Sequence, residues 1–147
     1  MEVAMKLLKI VINGLPHFKD ELNIDFVALQ RVDEYDKERL CSVFSNIYVN
    51  KAISFVGINA SGKTTILKAI SFVMKMLNNE SINNIQSRTI LDDLDDNQQV
   101  TITTYFYDGH DVNKLETSIG KEVSDVDGSE KFIIRDEKLS PKIKRKI

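Results

Sequence analysis

The stretch Ala52-Ile53-Ser54-Phe55-Val56-Gly57-Ile58-Asn59-Ala60-Ser61-Gly62-Lys63-Thr64-Thr65 decides how the rest of the chain is read. Residues 57–64 satisfy G-x-x-x-x-G-K-[ST], the Walker A pattern. At average residue usage, a chance match in 147 residues has a probability of roughly half a per cent. Phosphate binding explains the spacing. Gly57 lets the chain turn sharply, and Gly62 permits close backbone approach to phosphate oxygens. The loop amides converge into an anion nest, and the helix that follows points its positive end at the same place. Lys63 supplies a charge for the β- and γ-phosphates. The Thr64 hydroxyl suits Mg²⁺, and Thr65 reaches toward the α-phosphate.

The flanks predict a strand, a loop and a helix. Residues 52–56 form a short apolar run that reads as a strand buried on both faces. Residues 62–77 read as a helix with one narrow polar stripe, Lys68, Ser71 and Lys75, and apolar positions elsewhere. The Asn-rich stretch 78–87 ends it. Upstream, residues 5–12 and 22–27 read as strands around the turn Asn13-Gly14-Leu15-Pro16. From Lys37 the spacing of Leu40, Val43, Phe44 and Ile47 predicts a short amphipathic helix. Downstream, residues 99–107 alternate, Asp108-Gly109 signals a hairpin, and 114–119 and 131–135 read as further strands.

Composition sets the outer limits. The chain has 147 residues, 42% hydrophobic and 29% charged, which fits one globular domain and argues against a disordered or coiled-coil chain. No apolar run approaches the ~18–20 residues that span a bilayer. The single cysteine, Cys41, fits a reducing compartment, so the expected location is the cytoplasm, with no membrane partner. The net charge of −2 conceals a division. Residues 1–91 carry 11 basic and 9 acidic side chains, residues 92–137 carry 4 and 13, and the tail 138–147 carries 5 and none. The acidic block disfavours a nucleic-acid face, and the basic tail reads as a solvated terminus.

Residues 53–70 resemble the ATP-binding region of ABC/SMC-like ATPases, and most closely bacterial proteins of AAA-labelled or OLD-like type. The likeness extends over residues 5–76 through the opening strand, a turn carrying Phe18-Lys19-Asp20, and a strand containing Ile24-Asp25-Phe26. It implies an α/β P-loop NTPase lobe with a mixed sheet and an antiparallel β extension over residues 99–135. It implies ATP and Mg²⁺ as cofactors, held by Gly57, Asn59, Ala60, Ser61, Gly62, Lys63, Thr64 and Thr65, with Asn59 near the γ-phosphate or a partner subunit and Thr64 on the metal. It implies a second ATPase head as partner, and an effector nuclease or DNA as targets of relatives.

The sequence departs from that family in two ways. The first turn carries His17 and Lys19 where many members have a phosphate-contacting arginine. No Q-loop, signature motif, Walker B strand or switch histidine is recognisable; Thr89-Ile90-Leu91-Asp92-Asp93 is a poor Walker B candidate in a polar setting. The chain therefore reads as the N-terminal part of a longer ATPase, truncated or encoded by a broken gene. It is expected to bind ATP and to hydrolyse it only with the missing C-terminal half. Tyr35, Phe44 and Tyr48 are candidates for stacking on adenine, with ordinary packing as the alternative. A zinc site is not expected from His17 and His110, and Cys41 lacks a catalytic context. The competing classes are an interaction module without catalysis, a small-metabolite P-loop kinase and, more remotely, a small GTPase.

Overall fold

The computed structural model describes residues 5–29, 31–57 and 62–142. Five strands form one antiparallel sheet: β1 (Lys6–Asn13), β2 (Leu22–Asp25), β5 (Gln99–Tyr107), β6 (Val112–Val123) and β7 (Glu130–Lys142), in the order β2-β1-β5-β6-β7. A separate hairpin pairs β3 (Leu40–Phe44) with β4 (Ile47–Asn50). One α-helix, α1 (Lys63–Leu77), and a 3-10 helix, Gln86–Leu91, make a second layer.

The core lies between that layer and one face of the sheet. Alternation puts Ile10, Ile12, Val100, Ile102 and Ile119 on this face, each at most 1% exposed. From α1, Ala69, Phe72 and Val73 meet them at 0% exposure, and Ile85, Leu91 and Leu94 close the rim from the segment beyond. The helix stops at Leu77 because Asn78 caps it and Asn79 turns left-handed at φ 61°. The opposite face of the sheet carries polar side chains: Lys9 lies across from Asp25 and Tyr105, and Tyr105 across from Lys114.

The outer edge of β7 is blunted. A bulge interrupts its register with β6 between Ser118 and Ile119, which pair with Asp136 and Ile134 and leave Arg135 without a partner residue in the ladder. The Arg135 guanidinium lies where a side chain on Gly120 would stand and donates to the Lys121 carbonyl at 3.2 Å. Farther along, Asn83 imitates a neighbouring strand. Its amide donates to the Phe132 carbonyl at 2.8 Å and accepts from the Phe132 N–H at 2.9 Å. This pair ties the loop after α1 to the sheet edge.

The fold corrects the expectation of an α/β P-loop lobe with a mixed sheet. Every strand pair is antiparallel, and residues 99–142 are the body of the sheet rather than an extension of one. Residues 52–57 are not a strand. β1 is flanked by β2 and β5 and offers no free edge to a parallel neighbour; the sheet's edges are β2 and β7, and residues 52–57 join neither. Only Phe55 of this run packs on the core; Ile53 is 40% and Val56 93% exposed. The amphipathic helix expected from Lys37 is instead a 3-10 turn, Lys37–Arg39, running into the β3–β4 hairpin. Val43, Phe44 and Ile47 fit helical spacing, but β-branched and aromatic residues around a Ser-Asn turn suit a hairpin equally well.

Two hairpin turns are organised by aspartates. Asp108 accepts from the N–H groups of His110 and Asp111 and from the Asn113 amide, each at 2.8 Å. The Asp111 and His110 N–H bonds, then the Asn113 amide, hold its carboxyl down from 3.8 to about 2. Asp127 is likewise held at about 2, first by the Ser129 N–H and then by its hydroxyl. A depressed carboxyl contributes stability that is complete above its ordinary value near 4 and lost as pH falls through 2. The thermal midpoint of the wild type should therefore drop more steeply from pH 4.5 to 2 than that of Asp108→Asn or Asp127→Asn, with the double variant shallowest. In chemical denaturation at pH 7, Phe72→Ala should cost about 3–5 kcal/mol. Asn83→Ala should cost about 1–3 kcal/mol through the unpaired Phe132 groups.

Candidate nucleotide-binding loop

The ends of the Walker A segment are described; Ile58, Asn59, Ala60 and Ser61 lie outside the described residues. Gly57 closes the exposed run 52–57, and Gly62 begins the helix. Gly62 has φ +84°, a left-handed conformation that a side chain would strain. A Cβ there would meet the Phe18 ring at 3.5 Å, an ordinary contact, so conformation rather than space makes glycine necessary. The Gly62 carbonyl accepts the first α-helical bond, from the Ile66 N–H at 2.9 Å.

The Lys63 ammonium turns back and donates to the Gly57 carbonyl at 2.5 Å. This bond joins the two ends of the motif across six positions and sets the mouth of the loop. Its electrostatics suit an anion. The first turn of α1 contains no acidic residue, and among the described residues no side chain caps it. The N–H groups there and the positive end of the helix dipole are therefore not offset locally. Thr64 is exposed and Thr65 half-buried, with Lys63 half-buried between the loop and the helix. What sets the direction of α1 is its buried stripe of Ala69, Phe72 and Val73 against the sheet.

Beside the loop lies a pair that sequence reading did not find. His17 Nε2 meets Asp93 Oδ2 at 2.6 Å, joining the β1–β2 turn to the segment after the 3-10 helix. Both side chains are largely exposed, at 76% and 70%. His17 itself has φ +69°, an uncommon conformation for a residue with a side chain. The next residue, Phe18, is the one against Gly62, so the β1–β2 turn abuts the last glycine of the motif. Separated by 76 positions, the pair had no sequence signal. The turn does not bring the second histidine here: His110 sits in the β5–β6 hairpin.

Other sequence candidates disperse. Asp92 and Asp93 follow the 3-10 helix Gln86–Leu91 and are exposed, while Ile90 and Leu91 are buried; the run is a helical turn rather than a strand ending in two acids. Tyr35 is 90% exposed on the loop before β3. Phe44 stacks on Tyr107 with ring centroids 5.0 Å apart, and Tyr48 lies in β4. Cys41 sits half-buried in β3 with its sulfur 3.8 Å from the Ser42 carbonyl. Among the described residues there is no cluster of three or more His, Cys, Asp or Glu that could hold a metal, and no helix long and apolar enough to cross a membrane. Compared with protein-family models, curated proteins and solved structures, the chain gives no match.

The loop geometry has a direct stability consequence. Gly62→Ala should lower unfolding free energy by about 1–2 kcal/mol, the cost of holding alanine left-handed. Denaturant titration checks this, and a neutral result would mean the φ at residue 62 relaxes freely.

Proposed function

We propose that residues 57–65 bind ATP with Mg²⁺, and that efficient hydrolysis requires groups supplied by a second polypeptide segment or subunit. The observation that carries the reading is the Lys63–Gly57 bond at 2.5 Å, which draws the ends of a complete Walker A pattern together at an uncapped helix start. A phosphate arriving at the mouth offers Lys63 a charged acceptor in place of a neutral carbonyl, and charge-assisted bonds are the stronger kind. In this reading Lys63 bridges the β- and γ-phosphates. Thr64 contributes its hydroxyl to Mg²⁺, Thr65 contacts the α-phosphate, and Gly57, Asn59, Ala60, Ser61 and Gly62 supply backbone amides. Bound Mg²⁺ would neutralise charge on the phosphate oxygens.

The dependence on a further segment rests on two features. The acids of the one Walker B candidate, Asp92 and Asp93, are exposed on a turn, and Asp93 is engaged by His17. The apolar residues Ile53 and Val56, just before the loop, face solvent, a surface that an added element would cover. A second ATPase head, or a segment carrying a Walker B strand, would meet both needs. DNA or an effector nuclease as the eventual target follows from the resemblance of the motif region alone.

Titration calorimetry tests binding. ATP–Mg²⁺ should bind the wild type and bind Lys63→Ala at least tenfold more weakly, since a lost charge-assisted contact is worth about 1.5–3 kcal/mol; equal affinities would defeat the assignment. Phosphate release by the isolated chain should not exceed that of Lys63→Ala, because missing transition-state groups typically cost thousands-fold in rate. Robust, Lys63-dependent turnover by this chain alone would show that it holds its own catalytic carboxylate.

A further inference from the structure

Between α1 and the 3-10 helix Gln86–Leu91 runs an open groove of about 430 Å³, which begins at Thr64 and follows the helix away from the Walker A loop. Its lining mixes apolar surface with a few polar groups. Leu67, Lys68 and Lys75 come from α1 together with the Ser71 hydroxyl, and the other wall supplies Gln86 and the hydroxyls of Ser87 and Thr89. The Ser87 and Ser71 hydroxyls meet at 3.5 Å and hold the walls together. Among the described residues no carboxylate lines the groove. Lys68 has no ion pair among the described residues, and Lys75 has only a loose one, to Glu80 at 3.7 Å with both side chains nearly half exposed. A pair that open contributes little and yields to a stronger anion.

In sequence, Lys68, Ser71 and Lys75 are one narrow polar stripe on an otherwise apolar helix. The fold adds a second wall that makes it concave. The two lysines are seven positions apart, two helical turns, so their backbones are separated by about 10 Å along the axis. Hydroxyl donors lie between them. The volume is in the range that holds small molecules.

We infer that this groove binds a small molecule bearing an anionic group at each end, of the class of sugar bisphosphates, with one phosphate on Lys68 and the other on Lys75. Sugar hydroxyls between them bond Ser71, Ser87 and Thr89. The phosphate on Lys68 lies toward Thr64, at the end nearest the Walker A loop. The inference concerns binding at the groove and does not depend on whether the Walker A loop takes ATP.

The test uses the full chain carrying Lys63→Ala, so that phosphate capture by the Walker A loop is weakened, and follows backbone amide shifts on addition of fructose 1,6-bisphosphate at 0.15 M salt. Saturable shifts are expected at Ser71, Ser87 and Thr89. They should require at least tenfold less bisphosphate than inorganic phosphate, because two lysines act on one molecule. Lys68→Gln with Lys75→Gln should weaken the response at least tenfold, and Lys68→Arg should preserve most of it. Since both lysines are solvent-accessible, the spectrum elsewhere and the thermal midpoint report whether each variant stays folded. If the double variant unfolds, Lys68→Gln against Lys68→Arg decides the matter. Absence of shifts in the groove, shifts indifferent to the lysines, or equal response to inorganic phosphate would each overturn the inference.

Discussion

The burial of one face of α1 is the constraint on which the rest of this structure depends. Phe72, Val73 and Ala69 are fully withdrawn from water, and their partners are β-strand residues from before and after the helix in sequence, Ile10 and Ile12 on β1 and Val100 and Ile102 on β5. Hydrophobic burial is non-directional, but interdigitated side chains are not, and a close-packed interface admits few orientations. Once the stripe is seated, the N-terminus of α1 is positioned. Gly62 then meets Phe18, and Lys63 reaches the Gly57 carbonyl. The candidate site is thus an end effect of a packing decision made two to three turns away.

The same packing explains how a polar, partly open loop is tolerated. Gly62 occupies a conformation that side chains avoid, and among the described residues no side chain caps the first turn of α1. Glycine itself adopts this conformation at little cost, and a glycine cap gives up only a few tenths of a kilocalorie per mole against a capping side chain. The core contributes several times that for a single aromatic side chain. The small local cost of this helix start is therefore readily offset by remote burial. The aspartate-organised hairpins fix the β5–β6 and β6–β7 turns, and the Asn83 clasp supports the outer edge of β7, the last strand of the sheet.

Some elements were plain from local pattern. The alternation of Val100, Ile102, Thr104 and Phe106 placed these residues on one face, and the core side of β5 follows it. Helical spacing and the Asn cluster bounded α1 to within one residue at its start and at its end. Three features misled or were silent. The run Ile53–Val56 is apolar enough for a strand buried on both faces, yet the positions beside β1 inside the sheet are already taken by β2 and β5. Residues 40–47 satisfy a helical and a hairpin pattern alike, and only their setting, with Phe44 against Tyr107 and Val27 bridged to Val49, selects the hairpin. His17 and Asp93 had no pattern at all.

By itself the sequence determined the local elements that depend on near neighbours: most strands, the helix, the turns at Gly14 and Asp108, and the Walker A pattern with the chemistry it suits. These are properties of φ/ψ preference and of periods of two and 3.6 residues, which short windows contain in full. Only the tertiary structure decided that all sheet pairing is antiparallel, that residues 52–57 remain outside the sheet, that His17 meets Asp93, and that Lys68 and Lys75 border a groove. Each is a relation between distant segments. Its outcome turns on which edges are already paired and which apolar faces are already covered, and no short window of sequence carries that information.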